Sequence, residues 1–274
     1  MRLVIEPTTR RLQGELSIPD SKYHAHRALI LASLAEGESR ILGLTHARHV
    51  RYTIALLRAL GTKITIDGDS FVVQGRPYHP STAPLSVGSS GTTLYFMVGL
   101  ASLADAPVTL VGQHYFQRRP IGPLLSALRQ LGVRLTARND CPPISVQPVP
   151  PEGGETHIPG TLSQWISGLL ILAPFARRRT TIYVDGELNE KPYVDLTVRM
   201  MRQFGLLVEV AEDWRSFTIE PNQRARPATV ALPPDVSSAA FGLAVCALHP
   251  SDVIFRGLTS LDEARREHPE GEFL

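Results

Sequence analysis

Glycines recur in this 274-residue chain at two interleaved, evenly spaced sets of positions, and that recurrence limits the folds open to it. Three segments, 52–61, 121–132 and 194–205, carry apolar residues three and four apart and stop at a glycine. That is the pattern of an amphipathic helix ended by a left-handed residue. Each runs on into a β-rich stretch, 63–66, 133–136 or 206–210, and the terminal glycines Gly61, Gly132 and Gly205 stand 71 and then 73 positions apart. A second pattern alternates with the first: a helix of small apolar residues, a short turn, a β-rich run and a glycine. It fills 28–43, 92–112, 167–186 and 238–257, and its glycines are separated by 69, 74 and 71 positions. One period in both patterns predicts a tandem of β/α units of about 70 residues, a domain built by internal duplication rather than a solenoid.

The fourth copy of the second pattern ends at Gly257, and the amphipathic helix due next is only begun over 267–274. Such a helix without a partner strand leaves apolar surface uncovered. The expectation is therefore a truncated chain, or a second chain that supplies the C-terminal half.

Bulk composition excludes several classes of partner. With 28 basic against 26 acidic residues the net charge is +2, and no basic run is interleaved with aromatics, so nucleic acid is not an expected ligand. Apolar stretches such as 167–175 fall far short of a membrane span, and Met1-Arg2 leads into a strand-like Leu3-Val4-Ile5 rather than a signal peptide, which predicts a cytoplasmic protein with no membrane partner. Cys141 and Cys246 show no CxxC spacing; Cys246 reads as core and Cys141 as incidental. His24-Ala25-His26 and His46-Ala47-Arg48-His49 place imidazoles on different helix faces with no carboxylate or cysteine cluster nearby in sequence, so neither a metal nor another cofactor is expected.

The chemistry is carried by anion-reading motifs. Ser21-Lys22-Tyr23-His24-Ala25-His26-Arg27 sets Lys22 at the first turn of a helix, where free backbone N–H groups and the dipole favour negative charge, and Arg27 follows in the next turn. A small anionic substrate is the implied ligand. Further along stand Gly88-Ser89-Ser90-Gly91-Thr92-Thr93, Arg118-Arg119-Pro120-Ile121, Ser163-Gln164 before an apolar helix, Lys191-Pro192-Tyr193-Val194-Asp195, and Asp235-Val236-Ser237-Ser238-Ala239-Ala240. In that order and at the repeat spacing, these six motifs resemble the EPSP synthase branch of the enolpyruvyl transferase family, over nearly the whole chain.

The resemblance implies an inside-out α/β barrel of repeated β/α units. One complete three-unit domain would span residues 15–228, and residues 1–14 and 229–274 would form part of a second. It implies transfer of an enolpyruvyl group from phosphoenolpyruvate to a shikimate-type cyclohexene carboxylate. Such a site needs cations for carboxylate and phosphate plus an acid and a base. By resemblance Lys22, Gly91, Arg119 and Gln164 hold phosphoenolpyruvate, and Tyr23, Arg27, Ser163, Gln164, Glu190 and Tyr193 line the acceptor site. Lys22 and Asp235 take catalytic roles, although Asp235 reads equally well as a plain helix N-cap.

Departures from the family pattern gather on the acceptor side. Tyr23 stands where the family has a serine, Leu162-Ser163 where it has paired serines, and Glu190 where it has a serine ahead of Lys-Pro-Tyr. A carboxylate facing a phosphate is unfavourable. Arg48-His49 replace a usual acidic pair, and Tyr95 a usual arginine. The pattern predicts an acceptor that is unphosphorylated or otherwise altered. Alternatives are elimination of water from unphosphorylated shikimate, or a non-catalytic binding protein that keeps half of the clamp.

Overall fold

The computed structural model describes residues 10–80, 84–258 and 260–273. The strand-like 3–5 stretch lies outside the described residues. The described chain opens with β1 (Leu12–Ser17). A first repeat follows, made of α1 (Lys22–Leu34), β2 (Gly37–Leu42), α2 (Arg48–Ala59), β3 (Lys63–Asp67) and β4 (Ser70–Gly75). The second comprises β5 (Leu85–Ser86), α3 (Gly91–Leu100), β6 (Val108–Val111), α4 (Gly122–Gln130), β7 (Leu135–Arg138) and β8 (Cys141–Val146). The third comprises β9 (Gly154–Pro159), α5 (Ser163–Leu172), β10 (Thr180–Asp185), α6 (Lys191–Gln203), β11 (Glu209–Val210) and β12 (Ser216–Ile219). After these come β13 (Thr229–Ala231), α7 (Val236–Leu248), β14 (Ser251–Arg256) and α8 (Leu261–Glu267).

Each repeat builds a four-stranded mixed sheet, in the orders β13-β2-β4-β3, β5-β6-β8-β7 and β9-β10-β12-β11. In all three the first pair is parallel and the other two are antiparallel. The first repeat therefore takes its leading strand from the far end of the third: Val230 sits opposite Ile41, with Thr229 and Ala231 opposite Arg40 and Leu42. β1, which precedes α1 in the chain, instead runs parallel to β14, with Leu12 opposite Ser251 and Ser17 opposite Arg256. Two compact units result, one from Lys22 to Leu232 and one from the described residues before Lys22 with those from Pro233 onward. These units follow the expected division at 15 and 228 except over two short segments: residues 229–232, which carry β13, go with the larger unit and residues 15–21 with the smaller, because a leading strand belongs to the sheet that hydrogen-bonds it and not to its neighbours in sequence.

In the larger unit the helices lie inward and the sheets outward. Every residue of α1 from His24 to Ser33 is buried, and α3 and α5 are buried from Thr93 to Leu100 and from Ile166 to Leu172; the mostly apolar composition of α3 and α5 is what an all-round contact demands, while α1 also buries His24, His26, Arg27 and Ser33. The amphipathic α2, α4 and α6 each bury one face. Alternation along β10, buried at Thr180, Ile182 and Val184, turns one face of its sheet to the helices. Gly168 lets α3 and α5 cross closely, since a Cβ there would run into the backbone of Tyr95. The expected glycine stops take one form. Gly61, Gly132 and Gly205 have φ of +95°, +88° and +76°. The residue after each donates its N–H to a carbonyl five positions back: Thr62 to Leu57 at 3.0 Å, Val133 to Leu128 at 3.0 Å and Leu206 to Met201 at 2.9 Å.

The smaller unit is held by the β1–β14 ladder and by Ser21 N–H donating to Pro233 O and Asp235 N–H to Pro19 O, both at 2.8 Å. α7 is as apolar as α3 and α5 but buries only Val236 and Ala239, leaving Phe241 81% and Leu248 89% exposed. The helix expected to begin near Glu267 begins earlier, at Leu261, where Ser260 Oγ accepts from Glu263 N–H at 3.2 Å. The two cysteines exchange the expected environments. Cys141 is buried on β8 with its thiol toward Gln117 O at 3.5 Å, while Cys246 is half-buried on α7. No helix among the described residues is long and apolar enough to cross a membrane.

Candidate functional site

The first turns of four helices of the larger unit supply one chain of contacts, and that of a fifth adds charge beside it. Lys22 begins α1 and places its ammonium 4.8 Å from the centre of the Tyr23 ring. Tyr23 meets Tyr193, from the first turn of α6, edge to face at 5.0 Å. Glu190, the N-cap residue of α6, accepts a hydrogen bond from Ser163 Oγ at 2.7 Å. Ser163 and Gln164 open α5, and the next residue, Trp165, meets Tyr95 of α3 at 6.4 Å. The Tyr95 ring lies against Gly91 at the start of α3, and Arg119 and Tyr115 both act on its phenol. Arg119 stacks its guanidinium 5.3 Å above the Tyr115 ring, and Tyr115 OH donates to Ser89 O. α2 joins this set through charge: burial first, then Arg48 and Lys22, holds the His49 imidazole down, and burial raises the Tyr115 phenol against the opposing charges of Arg119 and Arg48.

Helix N-termini present unpaired N–H groups and a positive dipole end, so this circuit is built to hold negative charge. Ser90 caps α3 by accepting from Thr93 N–H at 3.1 Å, which leaves the amides of Gly91 and its neighbour for a ligand. Lys22, Arg48 and Arg119 add cations; Glu190 is the one carboxylate among the residues named in the circuit.

Arg27 behaves differently from Lys22 and Arg119. It is 1% exposed and lies 5.2 Å from the Phe96 ring. Its Nε donates to Thr197 Oγ1 at 2.7 Å, and its two amino groups to Tyr23 O at 3.0 Å and Tyr193 O at 3.1 Å. Thr197 passes a further bond to Ser167 Oγ at 2.8 Å. Burial pulls the guanidinium down to about 10, opposed by Tyr193 and Tyr23. Arg27 thus ties the first turns of α1 and α6 together and sets the positions of Tyr23 and Tyr193.

A buried polar ladder stands beside it. His26 Nδ1 pairs with Thr53 Oγ1 at 2.8 Å, Thr53 with Thr93 Oγ1 at 2.7 Å, and Thr93 donates to Ser90 Oγ at 2.7 Å. It links α1, α2 and the cap of α3, so it fixes where three of the first turns stand. Burial first, then Arg27, His49 and Lys22, holds the His26 imidazole down at about 3, so it is neutral at ordinary pH.

The sequence-predicted residues thus divide into groups. Lys22, Tyr23, Gly91, Arg119, Ser163, Glu190 and Tyr193 belong to the circuit, Gln164 follows Ser163 in the first turn of α5, and Arg27 lies buried where it touches two of them. Asp235 belongs to the smaller unit, where Oδ1 caps α7 by accepting from Ser238 N–H at 2.9 Å and lies 4.0 Å from His268 Nε2. Tyr115, Tyr52 and Thr53 lie outside every anion-reading motif of the sequence, whereas His26, Ser90 and Thr93 lie inside two of them without standing among the expected site residues. Arg48 and Tyr95 carried a signal, since each breaks the family pattern.

A duplicated β/α fold with cations gathered at helix N-termini defines an α/β protein whose first turns suit an anion. The comparisons with known proteins narrow that class. Residues 7–264 match the family model of EPSP synthase (3-phosphoshikimate 1-carboxyvinyltransferase). The chain is 35% identical over 266 residues to the 3-phosphoshikimate 1-carboxyvinyltransferase of Methanocorpusculum labreanum, covering 96% of this chain and 62% of that protein. It is 36% identical over 269 residues to the protein of that name from Shewanella pealeana, covering 95% and 63%. The solved EPSP synthase of Acinetobacter baumannii superposes with a TM-score of 0.77 at 22% identity, over 92% of this chain and 57% of that one, a likeness of fold. This chain belongs to the EPSP synthase family. It spans about three-fifths of the length of the curated relatives it matches.

Proposed function

We propose that this chain carries the phosphoenolpyruvate-binding and acceptor-binding half of an enolpyruvyl transferase whose acceptor is a shikimate-type cyclohexene carboxylate without a phosphate at the position that Glu190 faces. The observation that carries this reading is the circuit of first turns from Lys22 through Ser163 and Glu190 to Gly91 and Arg119. In the reaction the acceptor hydroxyl adds to C2 of phosphoenolpyruvate while C3 takes a proton. Loss of phosphate and of a C3 proton then restores the double bond in the transferred group.

Each residue has a role that suits its type. The guanidinium fork of Arg119 pairs with carboxylate or phosphate oxygens, Lys22 places a point charge on the same anion, and the Gly91 amide and Gln164 side chain donate at its edges. Tyr23 and Tyr193 pack against the acceptor ring, and Glu190, with Ser163, accepts from a ring hydroxyl. Arg27 holds these tyrosines in place as well as contributing positive potential. We assign Asp235 the proton exchange, with its cap bond fixing the carboxylate. The inward helices and outward sheets support the inside-out α/β barrel implied by the resemblance. The exposed apolar side of α7 supports the expectation that further β/α structure packs there in the working protein, in the cytoplasm.

The test is calorimetric titration of the chain with shikimate and, separately, with 3-phosphoshikimate at low salt, so that weak ionic binding is not screened. Tighter binding of shikimate is expected. A clear preference for 3-phosphoshikimate overturns the altered specificity and leaves an ordinary family acceptor.

A further inference from the structure

The first turn of α2 is assembled against local rules. α2 begins Arg48-His49, its N-cap residue Ala47 makes no side-chain cap, and the turn holds no acidic residue. Cations beside an uncapped N-terminus oppose the helix dipole and sit among unpaired N–H donors. Among the described residues neither Arg48 nor His49 has a carboxylate within ion-pair distance. Such a conflict, with no compensating carboxylate among the described residues, marks a place where a ligand is the missing partner.

The surroundings point the same way. Tyr52, one turn beyond Arg48, lays its ring on Gly88, whose φ is +56° and whose Cβ would lie inside that ring. Gln113 Nε2 donates to Tyr52 OH at 3.4 Å, so α2 is fitted directly to the loop that caps α3. In that loop Ser89 Oγ, on a residue 7% exposed, has no hydrogen-bond partner among the described residues. Tyr115 joins the two elements, bonded to Ser89 O, carrying Arg119 on its ring and lying within the field of Arg48. Where the family has an acidic pair this chain has Arg48-His49, and where the family has a serine on α6 it has Glu190. Charge has changed at both ends of the circuit, in opposite directions.

We propose that Arg48 is a specificity-determining residue that joins Lys22 and Arg119 in a three-cation arc, so that the phosphate and carboxylate of phosphoenolpyruvate are read at α1, α2 and α3 while the hydroxyl-bearing side of the separate acceptor meets Glu190. The assignment of phosphoenolpyruvate to this arc rests on the function proposed above; the anion arc itself does not.

The full chain is titrated with phosphoenolpyruvate and, separately, with inorganic phosphate, as wild type, Arg48→Ala, Arg48→Asp and Arg51→Ala. Arg51 belongs to the same turn but lines a different cavity, beside Leu44, Ile54 and Phe71. Arg48→Ala weakens both ligands about tenfold or more, and the salt dependence of binding becomes shallower. Arg51→Ala leaves the affinities unchanged. Arg48→Asp binds still more weakly while the thermal midpoint of the free chain rises, because a carboxylate now stands at a helix N-terminus; a purely structural arginine would not give this opposition. Should Arg48→Asp fail to fold, Arg48→Gln replaces it in the affinity comparison. Unchanged affinity for both ligands in Arg48→Ala overturns the proposal. Arg48-dependent binding of phosphate alone sustains the arc and overturns the phosphoenolpyruvate assignment, and a wild type that binds neither ligand overturns both.

Discussion

Ser163 Oγ donates to Glu190 Oε2 at 2.7 Å, so the only hydroxyl left of the family's paired serines on α5 is occupied by the carboxylate that replaced a third. Glu190 sits in the left-handed region at φ +56°, a conformation that costs a non-glycine residue on the order of 1 kcal/mol and that persists where the surroundings require it. In the proposed function this pair stands, as an anion and its donor, where the resemblance implies a phosphate.

Glu190→Ser should therefore reverse ligand preference. It removes the negative charge and frees Ser163, so affinity for 3-phosphoshikimate rises about tenfold or more while affinity for shikimate falls or stays level. Competition calorimetry with the two acids measures both changes. No gain for 3-phosphoshikimate would mean that Glu190 does not set the acceptor's charge.

Arg27 is a tie between helices, and its loss should appear first in stability. Arg27→Ala leaves the carbonyls of Tyr23 and Tyr193 and the Thr197 hydroxyl without their buried donor, at a cost of about 2–4 kcal/mol. Arg27→Lys keeps the charge without the planar fork and should fall between wild type and alanine. Urea unfolding of the three proteins gives the order; an Arg27→Ala protein as stable as wild type would reject the tie.

His26 makes stability depend on acid. Its folded pKa, about 3, lies below the unfolded value of 6.5, so between these limits the unfolded chain takes up a proton that the folded chain refuses. Stability contributed by the neutral imidazole is complete above about pH 6.5 and is lost as pH falls toward 3, by on the order of a few kcal/mol over the whole window. His26→Gln removes this component. The loss of stability between pH 7 and pH 4.5, measured by urea titration, should be smaller in the variant; equal losses would show that His26 takes up its proton without unfolding.

The uncovered side of α7 should drive association. Phe241 and Leu248, two turns apart and almost fully exposed, form an apolar stripe on a helix with no charged residue. Sedimentation velocity under reducing conditions should show concentration-dependent self-association that Phe241→Ser with Leu248→Gln abolishes, the thermal midpoint staying within a few degrees. A monomer at all concentrations would show that the stripe is not sticky enough to matter.

What the sequence by itself determined are properties written within one turn or one strand. The period of about 70 residues, the helices closed by Gly61, Gly132 and Gly205, and the helix starts at Lys22 and Gly91 all depend on local spacing and backbone freedom, which neighbouring residues encode. Tertiary structure alone decided what each charge does. Lys22 and Arg27 look alike in the sequence, yet packing against Phe96, Thr197 and Tyr193 commits one of them to the interior. It also decided that β13 completes the first sheet while β1 pairs with β14, and that Glu190 meets Ser163 across 27 residues. Partners so far apart in sequence are chosen by which surfaces must be buried together, and no local pattern records that choice.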